Sequence, residues 1–84
     1  SYNMKTKAQE LGITKFPYVE YDDKGNVIYR EDSNGSWWKS EFNKHNNLTY
    51  REYDDGEWYK WKHNDKGDDT YTENNHGYKV YFII

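Results

Sequence analysis

The chain has 84 residues, a formal net charge of −3 and no cysteine, which points to one domain and excludes a disulfide framework, a thiolate metal site and a cysteine nucleophile. It holds a single proline and no apolar run near the ~18 residues of a membrane span. No charged-then-apolar leader opens it, so a cytoplasmic protein without a membrane anchor is expected. Its aromatic content is unusual for so polar a chain. Tyr, Trp and Phe number 10, 4 and 3, against ten Leu, Ile, Val and Met residues together, whereas disordered chains of similar polarity are poor in aromatics.

The first predicted element is a short α-helix over residues 4–12. Met4, Ala8 and Leu11 lie on one face at helical spacing, and Gly12 suits a C-terminal stop. From residue 16 the chain repeats itself in steps of 21. Gly35, Gly56 and Gly77 fall in register, as do Tyr29, Tyr50 and Tyr71, and Glu31, Glu52 and Glu73. Arg30 matches Arg51, with Thr72 in the third copy; Trp37 matches Trp58, Tyr21 matches Phe42, and Gly25, Asn46 and Gly67 align. A partial copy (16–21) precedes three full ones (22–42, 43–63 and 64–84) in a single domain spanning residues 1–84.

Each copy reads as two strands and two turns. Asn34-Gly35, Asp55-Gly56 and His76-Gly77 are two-residue loops of the type I′ hairpin kind, which needs positive φ at both central positions. The other turn, residues 22–26 and its copies, is a type I turn closed by a left-handed residue at Gly25, Asn46 or Gly67. The fold class that follows is mainly β: one antiparallel meander of seven strands, over 16–21, 27–32, 36–42, 48–53, 57–63, 70–74 and 78–84, with the short helix in front.

Those turns predict a register and therefore two faces. A packing face is expected to carry the row Val19, Tyr29, Ser40, Tyr50, Trp61, Tyr71 and Phe82, flanked by Glu31, Trp38, Glu52, Tyr59, Glu73 and Val80 and, at the other end, by Tyr21, Val27, Phe42, Leu48, His63, Asp69 and Ile84. Met4, Leu11 and Ile13 would cover part of it. The opposite face is expected to set Arg30, Lys39, Arg51 and Lys60 side by side, with Trp37, Tyr53 and Trp58 flanking them. Like charges on adjacent strands repel, so this stripe needs either diagonal carboxylates (Asp32, Glu41, Glu20) or a bound group. It is at once an aromatic ladder that stabilises the sheet and the candidate partner-binding surface: Arg30, Trp37, Lys39, Arg51, Tyr53, Trp58 and Lys60.

No catalytic chemistry emerges. His45 and His76 fall in turns and His63 at a strand end, a spacing that matches no zinc motif. The chain contains no phosphate loop, nucleophile elbow or dinucleotide fingerprint. Glu31, Glu52 and Glu73 sit among aromatics, where burial would raise a carboxylate pKa; a single small sheet offers no glycosidase cleft, so these carboxylates are expected to hydrogen-bond neighbouring Tyr, Trp or backbone groups. Neither an enzyme nor a cofactor is expected.

The run Glu20-Tyr-Asp-Asp-Lys-Gly-Asn-Val-Ile-Tyr-Arg-Glu-Asp-Ser-Asn-Gly-Ser-Trp-Trp-Lys resembles the tandem repeat of small phage and prophage proteins, approximately Glu-Tyr-Asp-x-x-Gly-Asn-x-Ile-Tyr-x-Glu-x-Ser-x-Gly-x-Trp-x-Lys. The second copy keeps Tyr50, Glu52, Gly56, Trp58 and Lys60; the third keeps Tyr71, Glu73 and Gly77 but has Lys79 in place of the Trp. The lead-in around residues 8–17 also resembles the start of such proteins, and the chain is similar to the Tyr-Asp repeats of RHS-type proteins. The resemblance implies a small non-enzymatic binder inside a bacterial host, of the anti-CRISPR kind, that occludes a surface on a host nuclease or defence complex. Three alternatives stand beside it: a glycan or cell-wall module of the choline-binding kind, whose aromatic hairpins cage a quaternary ammonium; a single-stranded nucleic-acid binder, which the net charge disfavours; and a homodimer that buries the aromatic face.

Overall fold

The computed structural model describes residues 5–83. Met4 and Ile84, both assigned a place in the predicted faces, lie outside that range. Helix α1 (Lys7–Leu11) is followed by β1 (Tyr18–Tyr21), β2 (Val27–Glu31), β3 (Trp37–Phe42), β4 (Leu48–Tyr53), β5 (Trp58–His63), β6 (Asp69–Asn74) and β7 (Lys79–Tyr81). The seven strands form one antiparallel sheet in the order β1-β2-β3-β4-β5-β6-β7, the predicted meander. The first strand starts at Tyr18 rather than Phe16, since Pro17 has no N–H to give a ladder.

α1 is a single turn held at both ends. The Thr6 hydroxyl oxygen accepts the Gln9 N–H at 3.2 Å while Gln9 Oε1 accepts the Thr6 N–H at 2.8 Å, a reciprocal capping box. Gly12 closes the helix in the left-handed region at φ 71°, as its sequence position predicts.

All six hairpin turns share one geometry. At each the strands close with an N–H to C=O bond across a three-residue loop: Asp22 to Asn26, Asp32 to Ser36, Asn43 to Asn47, Tyr53 to Glu57, Asn64 to Asp68 and Asn74 to Tyr78, at 2.8–3.1 Å. Positive φ occurs at the last loop residue of each turn, at Gly25, Gly35, Asn46, Gly56, Gly67 and Gly77, and at no other turn residue. The two-residue type I′ loops expected at Asn34-Gly35, Asp55-Gly56 and His76-Gly77 are therefore not formed. Asn34, Asp55 and His76 stay at negative φ, where they avoid the left-handed penalty, and Asn34 and Asp55 each use Oδ1 to accept an amide, from Ser36 at 3.0 Å and Glu57 at 2.9 Å.

The extra loop residue slides the register by one. Glu31 faces Trp37 rather than Trp38, Glu52 faces Trp58, and Glu73 faces Lys79. At the other turns the expected pairs Tyr21 with Val27, Phe42 with Leu48 and His63 with Asp69 do form. A bulge follows each of them, so that Tyr29, Tyr50 and Tyr71 face Glu20, Glu41 and Lys62, not Val19, Ser40 and Trp61. Because side chains alternate along a strand, each one-residue shift moves a whole strand's side chains to the opposite face relative to its neighbour.

The sheet is one layer thick and has almost no apolar interior. The radius of gyration is 15.1 Å, against about 12 Å for a compact domain of this length, and the extents are 46 × 30 × 14 Å. The only buried apolar or aromatic residues among those described are Ala8, Tyr29 and Tyr71, and the largest fully buried side chain is that of Glu31, 1 % exposed. Leu11, expected to cover the sheet, is 58 % exposed; Ala8, at 0 %, is the helix residue that meets it. Stability in such a sheet resides in cross-strand pairs, about 0.2–1 kcal/mol each, and in the turns that align them.

Turn conformation is thus an exposed determinant of stability. A Cβ added at Gly56 would meet nothing within 4 Å, yet φ there is 94°, so Gly56→Ala is expected to cost about 1–2 kcal/mol through conformation alone. Asn46→Gly, at φ 65°, is expected to be neutral or stabilising by less than about 1 kcal/mol. Urea midpoints of the two variants check both, and equal losses would contradict the turn assignment.

Candidate functional site

The observed register sorts the side chains into two faces of different chemistry. One, the tyrosine face, carries Tyr18 and Glu20 from β1, Tyr29 and Glu31 from β2, Trp37, Lys39 and Glu41 from β3, and Tyr50 and Glu52 from β4. It continues with Trp58, Lys60 and Lys62 from β5, Tyr71 and Glu73 from β6, and Lys79 and Tyr81 from β7. The other, the arginine face, carries Arg30, Trp38, Ser40, Arg51, Tyr53, Tyr59, Trp61, Thr72 and Val80.

The predicted basic stripe is accordingly not present. Arg30, Arg51 and Tyr53 lie on the arginine face, while Trp37, Lys39, Trp58 and Lys60 lie on the tyrosine face. The expected aromatic packing row is also dissolved: Tyr29 and Tyr50 each sit between a Glu and a Lys, and Tyr71 between Lys62 and Tyr81, instead of beside Ser40, Trp61 and Phe82. Each arginine has a local partner. Arg51 Nε donates to Ser40 Oγ at 2.8 Å and its guanidinium lies 4.0 Å from the Trp38 ring centre, a cation–π contact; Arg30 pairs with Asp32 at 3.2 Å.

The tyrosine face is built on a repeated unit, Tyr-x-Glu, whose two side chains meet because residues two apart in a strand share a face. Tyr18 donates to Glu20 at 2.6 Å, Tyr29 to Glu31 at 2.8 Å, Tyr50 to Glu52 at 2.8 Å and Tyr71 to Glu73 at 3.1 Å. Trp37 stacks on Tyr29 and Trp58 on Tyr50, with ring centres 5.9 and 6.3 Å apart; in the last copy, where Lys79 replaces the Trp, Tyr81 approaches Tyr71 at 4.7 Å instead. Lysine ammoniums occupy ring faces beside these stacks, Lys60 at 5.1 Å from Trp58 and Lys62 at 5.2 Å from Tyr71.

At the first full copy α1 closes over the unit. Glu31 accepts the Thr6 hydroxyl, the Ala8 N–H at 3.1 Å and the Tyr29 hydroxyl. The Ala8 amide is one of the helix N-terminal donors that no intrahelical carbonyl can reach, so a carboxylate on the sheet completes the helix. Lys7 bonds Glu20 at 2.7 Å and lies 5.1 Å from the Tyr29 ring centre. Burial works to raise the Glu31 pKa, but the bonds from Thr6, Ala8 and Tyr29 outweigh it and the net shift is downward, contrary to the rise expected from the aromatic surroundings. Bonds from Lys7 and Tyr18 lower Glu20. Burial, reinforced by its Glu31 bond, pushes Tyr29 far above its ordinary value, and burial with the Glu52 bond pushes Tyr50 up to about 12.

The carboxylate-to-tyrosine bonding was legible from the repeated glutamates. The role of Thr6 was not singled out, although Thr6 with Gln9 three residues later is a capping-box spacing. Beyond α1 the tyrosine face is open. A depression of about 400 Å³ runs across the second and third copies, lined among others by Glu41, Tyr50, Lys60, Tyr71 and Tyr81. Among the described residues no three His, Asp or Glu side chains gather as a metal site, and no helix is long and apolar enough to cross a membrane. Comparison of the chain with protein-family models, with curated proteins and with solved structures finds no match.

The pKa directions set a pH window for stability. Glu31 and Glu20 contribute fully above their ordinary value of 4.5, and the contribution is lost as pH falls through their lowered folded values. Tyr29 and Tyr50 contribute fully below 10.0, and theirs is lost as pH rises toward the raised folded values. Urea midpoints measured against pH should form a plateau between these limits. Glu31→Gln should lower the plateau and flatten the acid limb; an unchanged acid limb would remove Glu31 from this role.

Proposed function

We propose that the chain is a non-enzymatic protein-binding module whose contact surface is the open part of the tyrosine face, around Tyr50, Glu52, Trp58, Lys60 and Tyr81. The observation that carries this reading is a stacked aromatic and charged surface left uncovered next to a copy that the chain covers with its own helix. Tyr and Trp anchors ringed by charge are the composition of interface hot spots, and a 14 Å thick sheet suits occlusion of a partner's surface better than enclosure of a substrate. The resemblance of the 21-residue unit to phage and prophage repeats supports a narrower form, in which the module inhibits a bacterial defence complex from within the host cytoplasm in the anti-CRISPR manner. The choline-binding alternative has less support because the chain's own Lys60 and Lys62 occupy ring faces that an ammonium ligand would need. The nucleic-acid alternative loses the basic stripe on which it rested.

Expression of the chain in bacteria carrying one active defence system at a time, challenged with a targeted phage, tests the reading. Plaque formation should recover for one system, and the purified chain should bind that system's effector. Trp58→Ala or Tyr81→Ala should weaken binding about tenfold or more, whereas Arg51→Gln, on the far face, should leave it unchanged once circular dichroism shows the sheet intact. Binding lost through Arg51 but not through Trp58 or Tyr81 would place the surface on the wrong face. No recovery against any system would remove the inhibitor form.

A further inference from the structure

Five side chains of the tyrosine face around Glu31 recur around Glu52, while Lys39 faces Glu52 where Tyr18 faces Glu31. Glu20, Tyr29, Glu31, Trp37 and Lys39 are followed 21 positions on by Glu41, Tyr50, Glu52, Trp58 and Lys60. The strand pairing matches as well: Glu20 faces Tyr29 as Glu41 faces Tyr50, Tyr29 faces Lys39 as Tyr50 faces Lys60, and Glu31 faces Trp37 as Glu52 faces Trp58. In the first copy these groups hold the opening turn of α1, with Glu31 taking the Thr6 hydroxyl and the Ala8 amide, and Glu20 taking Lys7. In the second copy, among the described residues, Glu52 receives only the Tyr50 hydroxyl at 2.8 Å and the Lys39 ammonium at 3.7 Å. The depression beside it is lined by Glu41 and Tyr50, the counterparts of the two side chains that Lys7 contacts.

We propose that the Tyr50–Glu52 site is a receptor for the first turn of a helix on a partner protein, with Ser or Thr at the N-cap, Lys or Arg next, and Ala or Gly after it. The hydroxyl and the orphan amide two residues on bond Glu52, the basic side chain bonds Glu41 and lies over Tyr50, and the small residue allows the backbone to approach as Ala8 does. This rests on the reading of the chain as a protein-binding module and specifies its ligand. A second copy of the chain has no such turn to spare, because its α1 is engaged on its own Glu31 through a short connection to β1. The third copy is closed to this ligand: Lys62 stands where Glu41 stands and would repel the basic residue.

The probe is a peptide of this chain's own residues 5–13, titrated into the isotopically labelled full-length protein and followed by NMR. Saturable shifts at Tyr50, Glu52, Lys60 and the Trp58 indole are expected, with a Kd of about 1 mM or tighter. Glu52→Gln in the protein, or Thr6→Val with Lys7→Glu in the peptide, should each weaken binding about tenfold or more. No shifts, shifts confined to the Glu31 copy, or equal binding by the altered peptide would each overturn the proposal. So would concentration-dependent shifts at the same residues without peptide, which would assign the site to a second copy. An inhibitor that ignores the peptide leaves the binding-module reading standing and sinks this one; a protein that binds the peptide through Glu52 yet inhibits no defence system does the reverse to the inhibitor form.

Discussion

A sheet one layer thick has no interior in which a misregistered strand would be penalised by burying charge. In most β proteins a one-residue slip drives polar side chains into the core; here both faces meet solvent, and Ala8, Tyr29 and Tyr71 are the only buried apolar or aromatic residues described. Register therefore has to be set locally, and the turns set it. Each of the six closes with the same pair of backbone bonds around one residue at positive φ, and most add an Asx side chain that gathers the loop amides. Asp22, Asn43 and Asn64 each accept two of them, at 2.9–3.1 Å. The repeated bulges at Ile28, Thr49 and Thr70 then re-aim the strands in step, so that the same side-chain types recur on the same face.

The consequence of that register is a row of carboxylates among aromatic rings. A carboxylate withdrawn from water is costly unless its lone pairs are satisfied, and the copies show graded solutions. Glu31 is the most buried and has three donors, two of them brought by α1. Glu52, with its side chain about a third exposed, has one hydroxyl and a distant lysine. The helix is thus docked by polar complementarity. Its own N-terminal donors lack partners, the sheet supplies an acceptor, and a small residue at the contact lets the two backbones come close.

The two faces then divide the labour. On the arginine face charges are consumed locally: Arg51 by Ser40 and the Trp38 ring, Arg30 by Asp32. On the tyrosine face the same economy is complete at Glu31 and incomplete at Glu52, so unfilled bonding capacity and half-buried aromatic surface coincide there. That coincidence is the physical basis for proposing a partner on the second copy rather than on the arginines.

The 21-residue period, the strand number, the meander order and the left-handed position at Gly25, Asn46 and Gly67 were all readable in the amino acids, because period-2 alternation and residues that tolerate positive φ are local signals. So was the bonding of the repeated glutamates to tyrosine, since residues two apart in a strand share a face. The face of each side chain was not. Asn34-Gly35 and its copies serve a two-residue loop or a three-residue loop equally well, as both put the glycine at positive φ; only the ladder as a whole, with Asn34 and Asp55 free to bond the next amide from negative φ and a bulge in each copy, selects the longer one. That extra loop residue, together with the bulges, separated Arg30, Arg51 and Tyr53 from Trp37, Lys39, Trp58 and Lys60. Likewise the apolar spacing of the helix singled out Leu11, but a sheet without a core has nothing apolar to receive it. The tertiary structure instead seats Ala8 and Thr6, because what the sheet presents at that point is a carboxylate.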